Sequence, residues 1–274
     1  MSPLRLSLAH LVCEIHVTSP RLLRRMRVHY AAYACARRSV DVRIELRTRP
    51  PAVGARIGSP RVRPCTSGWC VTRADFAVAG RRSAGRWTFH GSLAEDLFSL
   101  DTLLRIVLSL VLPTRDAMLL HGAGIRFHGS GCAFLGRSGA GKTTLCRKAP
   151  RPDVFNDELV VLARDPRVGW RLYGSPFWGE MAADGGRNWR RQRLPPARLG
   201  ALFFLARSGR PAWVGAHGVL RSLLHFDPSP SSQRRILALV AKLMRETTSS
   251  RLAFSLEDDW DTISRSIGRT LAQS

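Results

Sequence analysis

Acidic residues are scarce in this chain: 20 Asp and Glu stand against 43 Lys and Arg in 274 residues, a formal charge of +23. Lysine is scarcer still, with only Lys142, Lys148 and Lys242, so all but three of the 43 cations are Arg. Codon usage in a GC-rich genome would produce such an excess without function; an anionic partner would select it. The Arg residues are scattered instead of forming one block, which favours the first explanation. The six cysteines, Cys13, Cys35, Cys65, Cys70, Cys132 and Cys146, follow no regular spacing and no secretory leader precedes them, so a reduced cytoplasm is expected. Cys65 and Cys70 have no second Cys or His pair at finger spacing and read as ordinary thiols. The most apolar run, Leu97 to Leu112, is interrupted by Asp101 and Arg105. It is expected to fall short of a membrane span, in a soluble protein with no membrane partner.

With 45% hydrophobic residues, the chain can bury a substantial core. Leu4 to Val17 reads as a strand. A helix over Arg21 to Arg38 follows Pro20, with Leu22, Leu23, Met26 and Tyr30 at helical spacing. Val40 to Arg47 alternates as a strand, Arg49 to Gly68 is rich in Pro and Gly and reads as a loop, and strands are expected at Trp69 to Val78 and Arg86 to His90. A helix over Leu93 to Leu112 closes this region, and no internal repeat is visible. Beyond Pro113, Met118 to His128 and Cys132 to Leu135 flank Gly129-Ser130-Gly131, the pattern of a β-hairpin. Strands at Glu158 to Ala163, Ala201 to Ala206 and Arg251 to Leu256, and helices at Gln233 to Glu246 and Trp260 to Leu271, complete an α/β pattern. Two parts are expected: an α+β region over 1–113 and a catalytic domain over 114–274.

The second hairpin strand runs into Gly136-Arg137-Ser138-Gly139-Ala140-Gly141-Lys142-Thr143, which meets the phosphate-loop pattern at every defined position and is followed by a helical start at Thr144. The chemistry needs those residue types. Glycines let backbone N–H groups curl around phosphate oxygens, the lysine reaches the β and γ phosphates, and the hydroxyl of Thr143 ligates Mg²⁺. Phosphoryl transfer also requires carboxylates for the metal and a proton acceptor. Asn156-Asp157-Glu158, ahead of an apolar strand, supplies acids in a chain that has few; the same run would also serve as an ordinary strand-start turn. His121 lies fifteen positions before Gly136, between apolar neighbours, where a core histidine is the ordinary expectation.

The run from His121 through Leu145 resembles the catalytic domain of the HPr serine kinase/phosphorylase family, in which a His-Gly opens a hairpin before the phosphate loop. Asn156-Asp157-Glu158 is similar to that family's paired acids and to the Asp-Asp-Glu of phosphoenolpyruvate carboxykinases. Tyr173 to Glu180, Leu199 to Ala206 and Arg251 to Trp260 look more like the HPr-kinase-related proteins encoded with ribosomal peptide modification genes, lasso-peptide kinases included. The likeness spans Trp87 to the C-terminus.

This resemblance implies a P-loop kinase core of the HPr kinase/phosphoenolpyruvate carboxykinase type, with ATP and Mg²⁺. By position, Gly136 to Thr144 would hold the nucleotide and Lys142 its phosphates. Thr143, Asp157, Glu158 and Glu180 would be the metal ligands, with Asp157 the proton acceptor and His121 its support. Asn156 departs from the family's first acid, because an amide cannot take up a proton. The phosphorylase signature has no recognisable counterpart; Gly185 to Arg193 differs in character. The expected activity is ATP-dependent phosphorylation of a hydroxyl, a serine of a ribosomally made precursor peptide. A small-molecule kinase and a nucleic-acid-dependent ATPase are the alternatives, the latter lacking a recognition helix or aromatic RNA-binding motif. Arg187, Arg190, Arg191 and Arg193 are candidates for phosphate or acidic-peptide contacts or for a solvated loop, and a homo-oligomer is left open.

Overall fold

The computed structural model describes every residue except 1, 52–56, 67, 184–188, 190, 191, 207–213, 225, 226, 228 and 274. The chain is mixed α/β and divides into two compact units, Met1–Val111 with Phe226–Gln233, and Leu112–His225 with Arg234–Ser274. The division falls two residues before the boundary expected from sequence. The segment Phe226–Gln233, expected in the catalytic domain, groups with the first unit.

The first unit is a seven-stranded sheet with helices on one face. Leu4 to Val17 is two strands, β1 (Leu4–Leu8) and β2 (Leu11–Val17), joined at Ala9, whose φ of 53° turns the chain back in antiparallel pairing. Helix α1 (Pro20–His29) starts where Ser19 Oγ accepts the Leu22 amide hydrogen and Pro20 occupies the first turn. It is shorter than periodicity suggests. After Tyr30 the chain tightens into a 3₁₀ turn, Ala31–Tyr33, and the Tyr30 hydroxyl donates to Asp101. The remaining strands are β3 (Val42–Arg49), β4 (Arg61–Cys65), β5 (Gly68–Arg73), β6 (Phe76–Ser83) and β7 (Arg86–Ala94). Thus the expected loop before Gly68 contains a strand, and Trp69 to Val78 is two strands.

The sheet order is β1-β2-β3-β7-β6-β5-β4. Val42, Ile44, Leu46, Phe76, Val78, Trp87 and Phe89 are buried, and the residues that alternate with them are polar or, at Ala77 and Ala79, small. Helix α2 (Leu97–Val111) packs with the buried side; the Ser99 amide donates to Asp96 Oδ1 at its start. By length and composition alone the run Leu97–Arg115 is sufficient to cross a membrane, contrary to the sequence expectation, and 67% of its most apolar stretch is buried inside the protein.

The second unit is built on a long strand, β8 (Ala117–Phe127), paired antiparallel with β9 (Ser130–Leu135). The turn is His128-Gly129, with φ of 46° and 82°, so Ser130 and Gly131 belong to the strand and not to the loop. Helix α3 (Lys142–Lys148) follows β9, then β10 (Val154–Asn156), β11 (Leu159–Asp165), β12 (Gly169–Gly174) and β13 (Ala197–Ala206). Helices α4 (Gly215–Ser222) and α5 (Pro230–Glu246), strand β14 (Thr248–Ala253) and helix α6 (Trp260–Leu271) complete the chain.

Strands β9, β13 and β14 run parallel, and β8 pairs with β9, β10 and β11. Ala117 to His121 pair with β11 and Gly122 to Phe127 with β9, while Gly124 and Ile125 pair with β10 as well. Phe134 and Phe203, both fully buried, stack at 5.1 Å between β9 and β13.

Two outcomes follow from this packing. Phe203→Ala should destabilise the second unit by about 3–5 kcal/mol in denaturant titration, since it opens a ring-sized cavity between paired strands. In the first unit, burial works to raise the Glu14 carboxyl, but His16, Arg5 and Arg43 hold it down to about 2 from 4.5. A lowered folded pKa gives stability that is complete above the ordinary carboxyl range and is lost as the pH falls through it. Glu14→Gln should therefore flatten the acid limb of the stability profile between pH 4.5 and about 2.

Candidate active site

The site forms where β9 joins β8, beside the break between β10 and β11. Leu135, the last residue of β9, lies opposite Gly122, and the chain then turns through Gly136 to Gly141 into α3. Gly139 and Gly141 have φ of 75° and 99°, a region that L side chains avoid, so these two glycines let the loop close. A Cβ on Gly141 would lie 3.0 Å from the Phe254 ring, which packs beneath the loop. Arg137, Ser138 and Gly139 are exposed at the tip, and Gly136 is buried.

Lys142 is buried, and its ammonium donates to the carbonyls of Gly136 (3.0 Å) and Arg137 (3.1 Å). It braces the loop from inside. Burial pushes its pKa down, and the charges of Glu158 and Asp157 oppose that shift. Thr143, one residue on, donates from Oγ1 to Asp157 Oδ2 at 3.3 Å.

The acidic run occupies the break between β10 and β11. Asn156 is fully buried: its Oδ1 accepts the amide hydrogens of Glu158 (2.7 Å) and Leu159 (2.8 Å), and its Nδ2 donates to the Ser175 carbonyl (3.0 Å). It clamps the break. Asp157, 1% exposed, accepts from the amides of Gly179 (2.9 Å) and Met181 (3.2 Å) besides Thr143. Gly179 has no room for a side chain, since a Cβ there would lie 2.9 Å from Asp157 Oδ2 and 3.1 Å from Glu158 Cβ. Glu158 is one third exposed, with Oε2 3.6 Å from His121 Nε2.

Thr143, Asp157, Glu158 and His121 are therefore brought together at the end of β9, with Lys142 beside the acids. Two expected assignments change. His121, opposite Leu159 in the strand register, has Nε2 3.6 Å from Glu158 Oε2 instead of supporting Asp157. Glu180 opens a short 3₁₀ turn with its carboxylate 77% exposed and 3.9 Å from Arg147, and no contact with Asp157 or Glu158 is seen for its side chain among the described residues. Among the described residues no cluster of three or more His, Cys, Asp or Glu is arranged to hold a metal ion. Arg187, Arg190 and Arg191 lie outside the described residues; Arg193 is exposed.

Sequence reasoning missed Ser175, the amides of Gly179 and Met181, and Phe254. The Ser-Pro-Phe-Trp-Gly run was the available signal, because small and turn-forming residues allow the close approach made at Gly179. No model of a known protein family matches this chain, and no curated protein matches it.

The clamp makes a clear expectation for Asn156. A carboxylate there has no hydrogen to donate to the buried Ser175 carbonyl, so Asn156→Asp should cost about 1–3 kcal/mol. Urea unfolding of the two proteins measures it. The deficit should shrink at acid pH, where the protonated carboxyl regains a donor.

Proposed function

We propose that this protein is an ATP-dependent kinase that transfers the γ-phosphoryl group to a hydroxyl, with a serine of a ribosomally made peptide as acceptor and a P-loop kinase core as its scaffold. The observation that carries this reading is the glycine-rich loop braced by Lys142 and joined to Asp157 through Thr143, with a second acid, one third exposed, and a histidine alongside. The resemblance of the His121 to Leu145 run to HPr serine kinases supports the same reading.

Positively turned glycines and an adjoining helix N-terminus suit phosphate oxygens, and a hydroxyl beside a carboxylate suits a hard cation, so the residues fit ATP and Mg²⁺. Gly136 to Thr144 would hold the phosphates, and Thr143 with Asp157 would hold the metal. Mg²⁺ supplies neutralisation of phosphate charge. Lys142 adds a cation that burial keeps poorly hydrated, and it exchanges loop carbonyls for phosphate oxygens.

The proton acceptor in this reading is Glu158 and not Asp157. Asp157 has its oxygens committed to two backbone amides and a hydroxyl, which fixes it in place. Glu158 is accessible to an incoming hydroxyl, and His121 orients it. Six cysteines, all free, are in keeping with a reducing cytoplasm.

Single-turnover transfer from labelled ATP to candidate peptides and to metabolite mixtures tests both the reaction and the acceptor class. Glu158→Gln should slow the chemical step about 10²–10⁴-fold with nucleotide affinity retained. Asp157→Asn should raise the Mg²⁺ concentration needed. Lys142→Ala should abolish transfer, and it should loosen the loop as well because two carbonyls lose their donor. Parental turnover in Lys142→Ala would sink the phosphate-loop assignment; parental turnover in Glu158→Gln would return the base to Asp157.

A further inference from the structure

The strand registers of the first unit align scattered arginines on one open face. Arg5 lies opposite Glu14, Glu14 opposite Arg43, and Arg43 opposite Thr88, which faces Arg81. The next row runs His16, Glu45, His90, Ala79, Cys70 and Arg63; the one beyond it pairs Arg47 with Ser92, Ser92 with Ala77, Ala77 with Thr72, and Thr72 with Arg61. Directly opposed residues share a face of the sheet. These three rows therefore hold six arginines against two glutamates, Glu14 and Glu45.

Arg5 and Arg43 are engaged with Glu14, at 2.7 and 3.0 Å. Arg47, Arg61, Arg63 and Arg81 are exposed and have no ion-pair partner among the described residues. Between them the floor is small: Ala77, Ala79, Thr72 and Ser92. A cleft of about 850 Å³ opens over β2, β3 and β7, lined by His16, Thr18, Glu45, Arg47, His90 and Ser92.

We propose that this face is a docking surface for an acidic polypeptide segment lying extended across the strands. Charge complementarity selects the sign: four unpaired guanidiniums each offer a fork that matches a carboxylate. The kind of rings present selects the polymer. Trp69, Trp87, Phe76 and Phe89 are all buried on the opposite side of the sheet, and among the described residues the rings on the arginine face are His16 and His90, each held by a glutamate at 3.1 Å, so this face has no Trp, Tyr or Phe platform for the bases of a single strand. Small residues between the arginines leave backbone-level room for a chain, and side chains of both lengths can reach the rims. The inference stands apart from the nucleotide reading, because it rests on residues of the first unit alone.

Fluorescence anisotropy of the full chain at physiological ionic strength tests it, with a labelled poly-glutamate peptide and an oligo-dT of matched charge. The peptide should bind more tightly than the oligonucleotide. Arg47→Glu with Arg81→Glu should weaken peptide binding roughly tenfold, since attraction becomes repulsion at two exposed pairs. Arg47→Lys with Arg81→Lys should keep most of it. Arg47→Gln with Arg81→Gln, which adds no acid to the face, should give a smaller loss and serves if the reversal does not fold. Arg24→Glu with Arg25→Glu on the exposed side of α1 makes the same change in net charge elsewhere and should leave binding within about twofold. Tighter binding of oligo-dT, no binding of the peptide, or an equal loss in the α1 variant overturns the proposal.

Discussion

A buried amide cannot be left without partners, and the side chain of Asn156 meets that requirement by joining three separate pieces of backbone. It accepts from the start of β11 and donates to Ser175 beyond β12, which holds open the two-residue break between β10 and β11. The geometry of the acids depends on this break. In a continuous strand Asp157 and Glu158 would point to opposite faces, whereas here Asp157 turns inward to Thr143 and the Gly179 turn while Glu158 stays at the surface beside His121.

Long-strand geometry sets the other half of the arrangement. β8 pairs with β11 up to His121 and with β9 from Gly122, whose amide donates to the Glu158 carbonyl, so the end of β9 and the glycine loop that follows it lie next to the acidic run. A Cβ on Gly122 would stand 2.6 Å from Leu135 Cδ2, so the pairing that launches the loop also needs a residue without a side chain. Burial, strand register and loop closure are thus coupled at one point.

The electrostatics of the two units follow one rule. In each, a nearly buried carboxylate is held by several donors: Arg5, His16 and Arg43 around Glu14, and two backbone amides with a hydroxyl around Asp157. With few acids in the chain, Arg47, Arg61, Arg63 and Arg81 have no carboxylate partner among the described residues. The scatter of arginines along the sequence favoured codon bias as the explanation, but strand register gathers six of them on one sheet face. Linear spacing hides clustering between strands far apart in the chain.

Local chemistry alone determined much of this protein. Glycines that take positive φ, followed by Lys142 and Thr143, specify the tight loop into α3; the hairpin before it, and helices α5 and α6, follow from turn residues and 3.6-residue periodicity within a residue or a few of their observed ends. Elements that exist through strand pairing and not through a side-chain pattern of their own were not legible. β4 is an exposed edge strand that contains Pro64 and exists through pairing with β5, and β10 is three residues long, paired with the far end of β8. The roles within Asn156-Asp157-Glu158 belong to the same class, because sequence order names the acids but cannot say which one meets Thr143 and which one meets His121. Those pairings are set by the register of β8 against β9 and β11, where a shift of one residue would send every side chain to the other face.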